Sequence, residues 1–304
     1  MPQSINYSLL SGVIPSSRLH VYKKVFRTKN DIELHGVYVW TMKTASTLLP
    51  LMNALEIALR NAIHREASLK ISNDWYDQLA TKKRANWKQK KQDTSNINFY
   101  VKEKDEKKTK ALRKVSRGIP SELTVHDIII ADMNFGFWEN LLRECFNVNR
   151  NPKALWPQCL KSVFPGFPPS LPLNNEDIRK KIEKIRDARN DISHHSPVWK
   201  NKNVKNEADA INFINSTIDS IVDILSWISG ENVSFLEKHS LIKDAKRCNT
   251  KEMLDWYKRD LTTISSEPLS LFRRNLSGTL RSLKNESFIL TGKDSEPEFM
   301  ITRI

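Results

Sequence analysis

Leu48, Met52, Leu55, Leu59 and Ala62 recur at steps of three and four residues within a stretch that runs from about Leu34 to Ala67. That spacing places one apolar face on an α-helix and is incompatible with the two-residue alternation of a half-buried strand. The same period returns in Ile178, Ile182, Ile185 and Ile192, and again along Val204, Ala208, Ile211, Ile218, Val222 and Leu225. Together with this periodicity, a content of only 8 glycines in 304 residues favours an α-rich fold, and an all-α class is expected. Expected helices span residues 16 to 30, then Leu34 to Ala67, with Pro50 kinking or restarting the second. Thr124-x-x-Asp127 reads as a capping box opening a helix to Leu142, in which Gly136 marks close packing of a neighbour. Further helices cover Asn174 to Ile192, Val204 to Ile228, 231 to 245 and 250 to 262. The Ser-rich tail begins at Thr263, carries Arg273, Arg274 and Arg281, and is expected to be disordered from about Gly292.

One segment among these helices carries chemistry: Ala188-Arg189-Asn190-Asp191-Ile192-Ser193-His194-His195-Ser196-Pro197. Arg189 lies within about 20° of Ile178 around the helix, so its guanidinium projects from the apolar face. A charge there needs an anionic partner or a wet pocket. His194 is roughly 140° from Arg189, so spacing alone does not put the two on one face. Pro197 ends the helix near His194 or His195, where side chains can splay, or two copies of the motif face each other in a dimer. A histidine able to give and take protons near neutrality, beside an arginine whose fork fits phosphate, suits RNA cleavage by the RNA's own 2′-hydroxyl. Asn190 could hold a phosphate oxygen or fix the imidazole tautomer. The bland alternative is a capped helix end followed by a polar turn. A zinc site is disfavoured, because adjacent helical histidines diverge by about 100° and no Cys or acidic cluster stands nearby.

Two other regions bear on this segment. Glu56, Arg60 and His64 follow one another at four-residue steps on the flank of the Leu48–Ala62 stripe, with the acid first, the favourable order for ion pairing. They form either a salt-bridged edge or, with Asn61, a part of the site. Residues 82 to 117 hold fourteen Lys or Arg against four acids, most of the chain's net charge of +14. Lys82, Lys83, Arg84, Lys88, Lys90 and Lys91 could track phosphates while Trp87, Phe99 and Tyr100 stack on unpaired bases. The alternative for this segment, taken as an insertion to about residue 118, is a solvated, mobile arm.

The excess charge favours nucleic acid or anionic lipid as a partner and says nothing of fold. Cys145, Cys159 and Cys248 form no CxxC pair, and no apolar run approaches a membrane span. A cytoplasmic protein without membrane contact, metal or cofactor is expected.

Four motifs, in order, extend the reading. They are Ala54-Leu55-Glu56-Ile57-Ala58-Leu59-Arg60-Asn61-Ala62-Ile63-His64-Arg65, Asp74-Trp75-Tyr76, Asn134-Phe135-Gly136-Phe137-Trp138, and Arg189-Asn190-(x)3-His194-His195-(x)-Pro197. In this combination the chain resembles the Abi (abortive infection) family of the HEPN ribonuclease superfamily over roughly residues 20 to 230. The resemblance implies a HEPN-like helical bundle within 1 to 230; the basic insertion, and the short helices and partly disordered tail expected over 231 to 304, lie outside the family pattern. It implies a homodimer with a composite site, acting as a metal-independent endoribonuclease in phage defence or as a toxin held by an antitoxin protein or RNA. Arg189 and His194 would be catalytic, with Asn190 and His195 in support. Asp191 stands where the family commonly has a basic residue, and Ser196 where it has Glu, which bears on target and activity. The competing expectation is a catalytically silent RNA-binding or scaffolding defence protein; a DNA-binding regulator lacks a helix-turn-helix signal.

Overall fold

The computed structural model describes residues 5–118 and 124–260, and the backbone of 266–268, 287–291 and 297–302. The helices are α1 (Ser16–Phe26), α2 (Asp31–Lys70), α3 (Trp75–Gln78), α4 (Trp87–Val115), α5 (Val125–Asp132) and α6 (Phe135–Leu141). They continue as α7 (Leu160–Val163), α8 (Asn175–Ser193), α9 (Glu207–Ile228), α10 (Gly230–Lys238), α11 (Leu241–Cys248) and α12 (Lys251–Tyr257). The fold is therefore all-α in class. Three short strands lie in the tail: Ser266–Pro268 pairs in parallel with Ser287–Thr291, which pairs antiparallel with Pro297–Thr302. Pairing of 297–302 departs from the expectation of a disordered end, while Arg273, Arg274 and Arg281 fall outside the described residues.

Residues group into two compact units, so the boundary expected at 230 falls inside one of them. The first comprises 1–45, 199–214 and 246–304. Its centre is aromatic: the Trp199 ring meets Phe26 edge-on at 5.0 Å and Tyr22 at 5.3 Å. The indole N–H groups of two of its tryptophans find acceptors, Trp199 donating to Thr41 Oγ1 at 2.9 Å and Trp40 to the Cys248 carbonyl at 3.0 Å. A buried indole left without such a partner would cost desolvation energy. Gly36 is obligatory in this unit, since a Cβ would sit 2.0 Å from the Tyr257 carbonyl oxygen.

The second unit, 46–198 and 215–245, contains every residue of the Arg189 segment through Val198. In α2 the apolar stripe Leu48, Met52, Leu55, Leu59 and Ala62 is buried as its spacing requires. The helix continues through Pro50 instead of restarting there. The stretch 124–142 is two helices and not one. Thr124 and Asp127 form the expected capping box on α5, but Asn134 caps a second start by accepting from the Phe137 N–H at 2.9 Å. Gly136 allows no especially close helix approach, because a Cβ there meets its neighbours on α4 and α8 only at 3.9 Å. The tight contact is at Gly166, whose Cβ would lie 2.5 Å from the Ser226 carbonyl. In α9, which belongs to the first unit up to Ile214 and to the second from Asn215, the buried residues include Ala210 and Ile214, then Ile218, Ile221 and Leu225. An isoleucine-rich helix supports two apolar registers, and packing selects this one over the stripe through Ala208, Ile211 and Val222.

An ionic cluster joins α6 to α8. The carboxylate of Glu139, fully buried, receives Arg179 at 2.7 Å, Arg186 at 2.6 Å and Arg143 at 3.2 Å. Glu176 and Glu183 stand 2.8 and 3.1 Å from Arg179 and Asp187 stands 2.9 Å from Arg186, so every guanidinium of the set has a carboxylate partner. Removing one partner of such a buried set leaves an uncompensated charge. Glu139→Gln should therefore destabilise the protein by on the order of 3 kcal/mol, read as a lower midpoint in chemical denaturation; an unchanged midpoint would show that the cluster is not structural.

Candidate active site

Helix α8 begins at Asn174, whose side chain accepts from the Glu176 N–H at 2.8 Å, with Glu176 and Asp177 favourably placed in the first turn. Ile178, Ile182, Ile185 and Ala188 are buried along it. The helix ends in a Schellman arrangement: His195 N–H reaches the Ile192 carbonyl at 3.0 Å and Ser196 N–H the Asp191 carbonyl at 2.7 Å. The residue that must turn left-handed there is His195, with φ of 56°. Glycine is the usual occupant, so a histidine in this position holds an imidazole at a stated direction at some conformational cost. His194 is the C-cap and His195 follows it, both exposed. Among the described residues the His194 imidazole has no hydrogen-bond partner.

Arg189 lies on the apolar face, as its angle requires, yet its side chain keeps 37% of its surface exposed. Packing thins over the last turn of α8, where Ile192 is also only half-buried. Glu56 of α2 faces Arg189, its Oε2 3.9 Å from Nη2, an ion pair too long to be a hydrogen bond. Burial raises the Glu56 carboxyl above its usual range, opposed by Arg189 and Arg60. The guanidinium is thus balanced but not sequestered. The arginine of α8 that is buried is Arg179, not Arg189, because Glu139 supplies it with a fixed partner.

Arg60, Asn61 and His64 are brought together, one and two turns along α2 from Glu56. They line an open groove of about 690 Å³ together with Lys114 and Arg117 at the end of α4 and Asp127, Ile128, Ile130, Ala131 and Asp132 of α5. Trp75 donates its indole N–H to His64 Nδ1 at 3.0 Å, which explains the Asp74-Trp75-Tyr76 stretch as an anchor for this histidine. Burial lowers the His64 pKa below the ordinary 6.5; Asp127 works against that, while His126 and Arg60 add to it.

Residues 3–200 match the family of Abi-like proteins. The chain belongs to the Abi-like family. No curated protein matches it, and no solved structure does. The matched region of this Abi-like chain includes α8 and α2, so Arg189, Asn190, His194, His195 and the Glu56–His64 face all lie within it.

The basic stretch of this Abi-like protein is a 29-residue helix, α4, and not a mobile arm. Tyr100 is a correction: it is buried, stacked on Phe137 at 5.4 Å, and its hydroxyl donates to the Tyr76 carbonyl, so it cannot stack on bases. Asp93, Tyr100 and Ala111 make a buried face hidden within a lysine-rich sequence. Arg84 is clamped on Asp93 at 2.7 and 2.9 Å, and Lys82 pairs with Glu144 at 2.7 Å. Exposed on α4 are Lys88, Lys90, Lys91, Phe99 and Trp87, the last 71% exposed with Lys91 Nζ 5.6 Å from its ring centre; Lys83, just before the helix, is exposed too. Sequence reasoning missed Lys114, Arg117 and Asp127 as neighbours of His64, because the chain between them and α2 gives no spacing signal.

The lowered His64 pKa carries a stability consequence. Its folded value lies below its unfolded one, so the stabilisation is complete above pH 6.5 and is lost as pH falls through the folded pKa. His64→Gln, which keeps an acceptor for Trp75, should flatten the decline of melting temperature between pH 7.5 and 5; parallel curves for both proteins would refute the assignment.

Proposed function

We propose that this Abi-like protein is a metal-independent endoribonuclease of an abortive-infection or toxin–antitoxin system, acting in the cytoplasm with Arg189 and His194 as its catalytic residues. The observation that carries the reading is the last turn of α8. There a half-exposed guanidinium, loosely balanced by Glu56, stands on the same helix end as two exposed imidazoles.

Strand cleavage by the RNA's own 2′-hydroxyl uses what this segment offers. The 2′-oxygen attacks phosphorus as a base takes its proton, the P–O5′ bond breaks, and an acid returns a proton to the 5′-oxygen. The products are a 2′,3′-cyclic phosphate and a free 5′-hydroxyl. Arg189 stabilises the dianionic phosphorane, an electrostatic role suited to a preorganised fork. His194 acts as general acid or base, supported by His195 and Asn190. One turn separates Arg189 from His194 by an angle of roughly 140°, so a HEPN-like homodimer in which each copy completes the other's site accounts for both roles. An antitoxin protein or RNA would hold such an enzyme in check. Exposed Trp87 beside Lys91, with Lys83, Lys88 and Lys90, favours RNA contact in addition. That observation is shared with the second reading, a silent RNA-binding or scaffolding defence protein.

Purified protein incubated with total cellular RNA in EDTA distinguishes the two. Wild type should cut and leave 2′,3′-cyclic ends, and His194→Ala should cut about 10²-fold more slowly or worse while binding RNA equally. Binding without cutting by both proteins, including after addition of phage-infected extract, would establish the silent reading.

A further inference from the structure

The groove beside His64 has its own chemistry, distinct from the end of α8. Three cations reach it from two helices: Arg60 from α2, and Lys114 with Arg117 from the end of α4. Two carboxylates stand in it, but both are engaged. Asp127 Oδ2 accepts the Thr124 N–H and hydroxyl at 2.8 and 2.7 Å, completing the α5 capping box. Asp132 is shared by Lys114 at 3.0 Å and Lys110 at 3.2 Å, two ammonium groups against one carboxylate. Positive charge is left over.

Hydrogen-bond donors are also left over. Arg60 gives its Nε–H to Asn61 Oδ1 at 3.2 Å and one Nη1 hydrogen to the Ala131 carbonyl at 3.4 Å, leaving Nη2 uncommitted among the described residues. At His64 the indole N–H of Trp75 can only donate, so Nδ1 must be the acceptor and the neutral ring carries its proton on Nε2. A second proton would have to displace Trp75, so this imidazole is a fixed neutral donor and not a proton shuttle. Behind these groups Ile128, Ile130 and Ala131 supply an apolar wall. A volume of about 690 Å³ falls within the range of small-molecule sites.

We propose that this groove binds one nucleotide, its phosphate on Arg60, Lys114, Arg117 and the His64 Nε2–H, and its ribose or base against the Ile128–Ala131 wall. The nucleotide comes either free or as one unit of an RNA chain. Binding does not depend on Arg189 or His194 cutting anything, so the site stands whether or not the ribonuclease reading does. Along α2, Arg60 and His64 lie four and eight residues from Glu56, about 6 and 12 Å of helix rise.

The test uses the full chain carrying His194→Ala, so that no substrate is consumed. Fluorescein-labelled hexauridylate is titrated by anisotropy, and UMP and inorganic phosphate are added as competitors. The double variant Lys114→Gln/Arg117→Gln should weaken hexauridylate binding about tenfold and reduce the slope of log K against log salt by about 1.4, the loss of two phosphate contacts to a single strand. Arg117→Gln alone, at an exposed position beyond the helix end, should give an intermediate loss and guards against misfolding of the double variant. Lys23→Gln/Lys24→Gln on α1 removes the same charge elsewhere and should change affinity less than twofold. Competition by UMP identifies a free-nucleotide site; competition by unlabelled hexauridylate alone identifies a site for a unit of RNA. Affinity of the double variant within twofold of the parent, or a loss no greater than that of the α1 control, overturns the proposal.

Discussion

A single buried carboxylate holds the second unit to its geometry. Glu139, with no solvent exposure, gathers guanidiniums from Arg143 beside it and from Arg179 and Arg186 two turns apart on α8. Arg179 and Arg186 are seven residues apart, so pinning both fixes the rotation of α8 as well as its distance from α6. That rotation decides where Arg189 points. A helix held only by Ile178, Ile182 and Ile185 could roll by a fraction of a turn without exposing much apolar surface; one clamped through charged hydrogen bonds of 2.6 to 2.7 Å cannot.

The clamp also explains how two arginines of one helix come to differ. Arg179 is desolvated and fully paired, and therefore structural. Arg189 sits ten residues on, opposite a half-buried Glu56 at 3.9 Å, in the turn where packing thins. It keeps both charge and access. The chain then leaves the helix through His195 in a left-handed conformation, which it also adopts at Arg27, Arg150 and Ser240 and which costs a side chain other than glycine some energy.

Helix α2 serves the same unit from the other side. Its apolar stripe packs inward while the flank Glu56, Arg60, His64 runs from the Arg189 pair into the groove closed by α4 and α5. The lysine-rich α4 is what encloses that groove. Its basic residues are not alike: Lys104 and Lys108 are spent on Asp77, Lys110 and Lys114 share Asp132, and others such as Lys88 and Lys90 face solvent.

The helical class, the α2 stripe, the α5 capping box and the segment from Arg189 to Pro197 were all legible in the residues, because each depends on the rise and turn of one helix or on a cap within four residues. These are consequences of covalent geometry and hold wherever the helix is placed. The angle of Arg189 was legible for the same reason. What tertiary structure alone decided was burial and partnership. Tyr100 is core because Phe137 stacks on it, Arg179 is the buried arginine because Glu139 waits forty positions earlier, and His64 is a neutral donor because Trp75 fills its other nitrogen. Each outcome turns on a partner brought near by packing, and no periodicity within a helix records which distant side chain will complete a hydrogen bond or neutralise a charge.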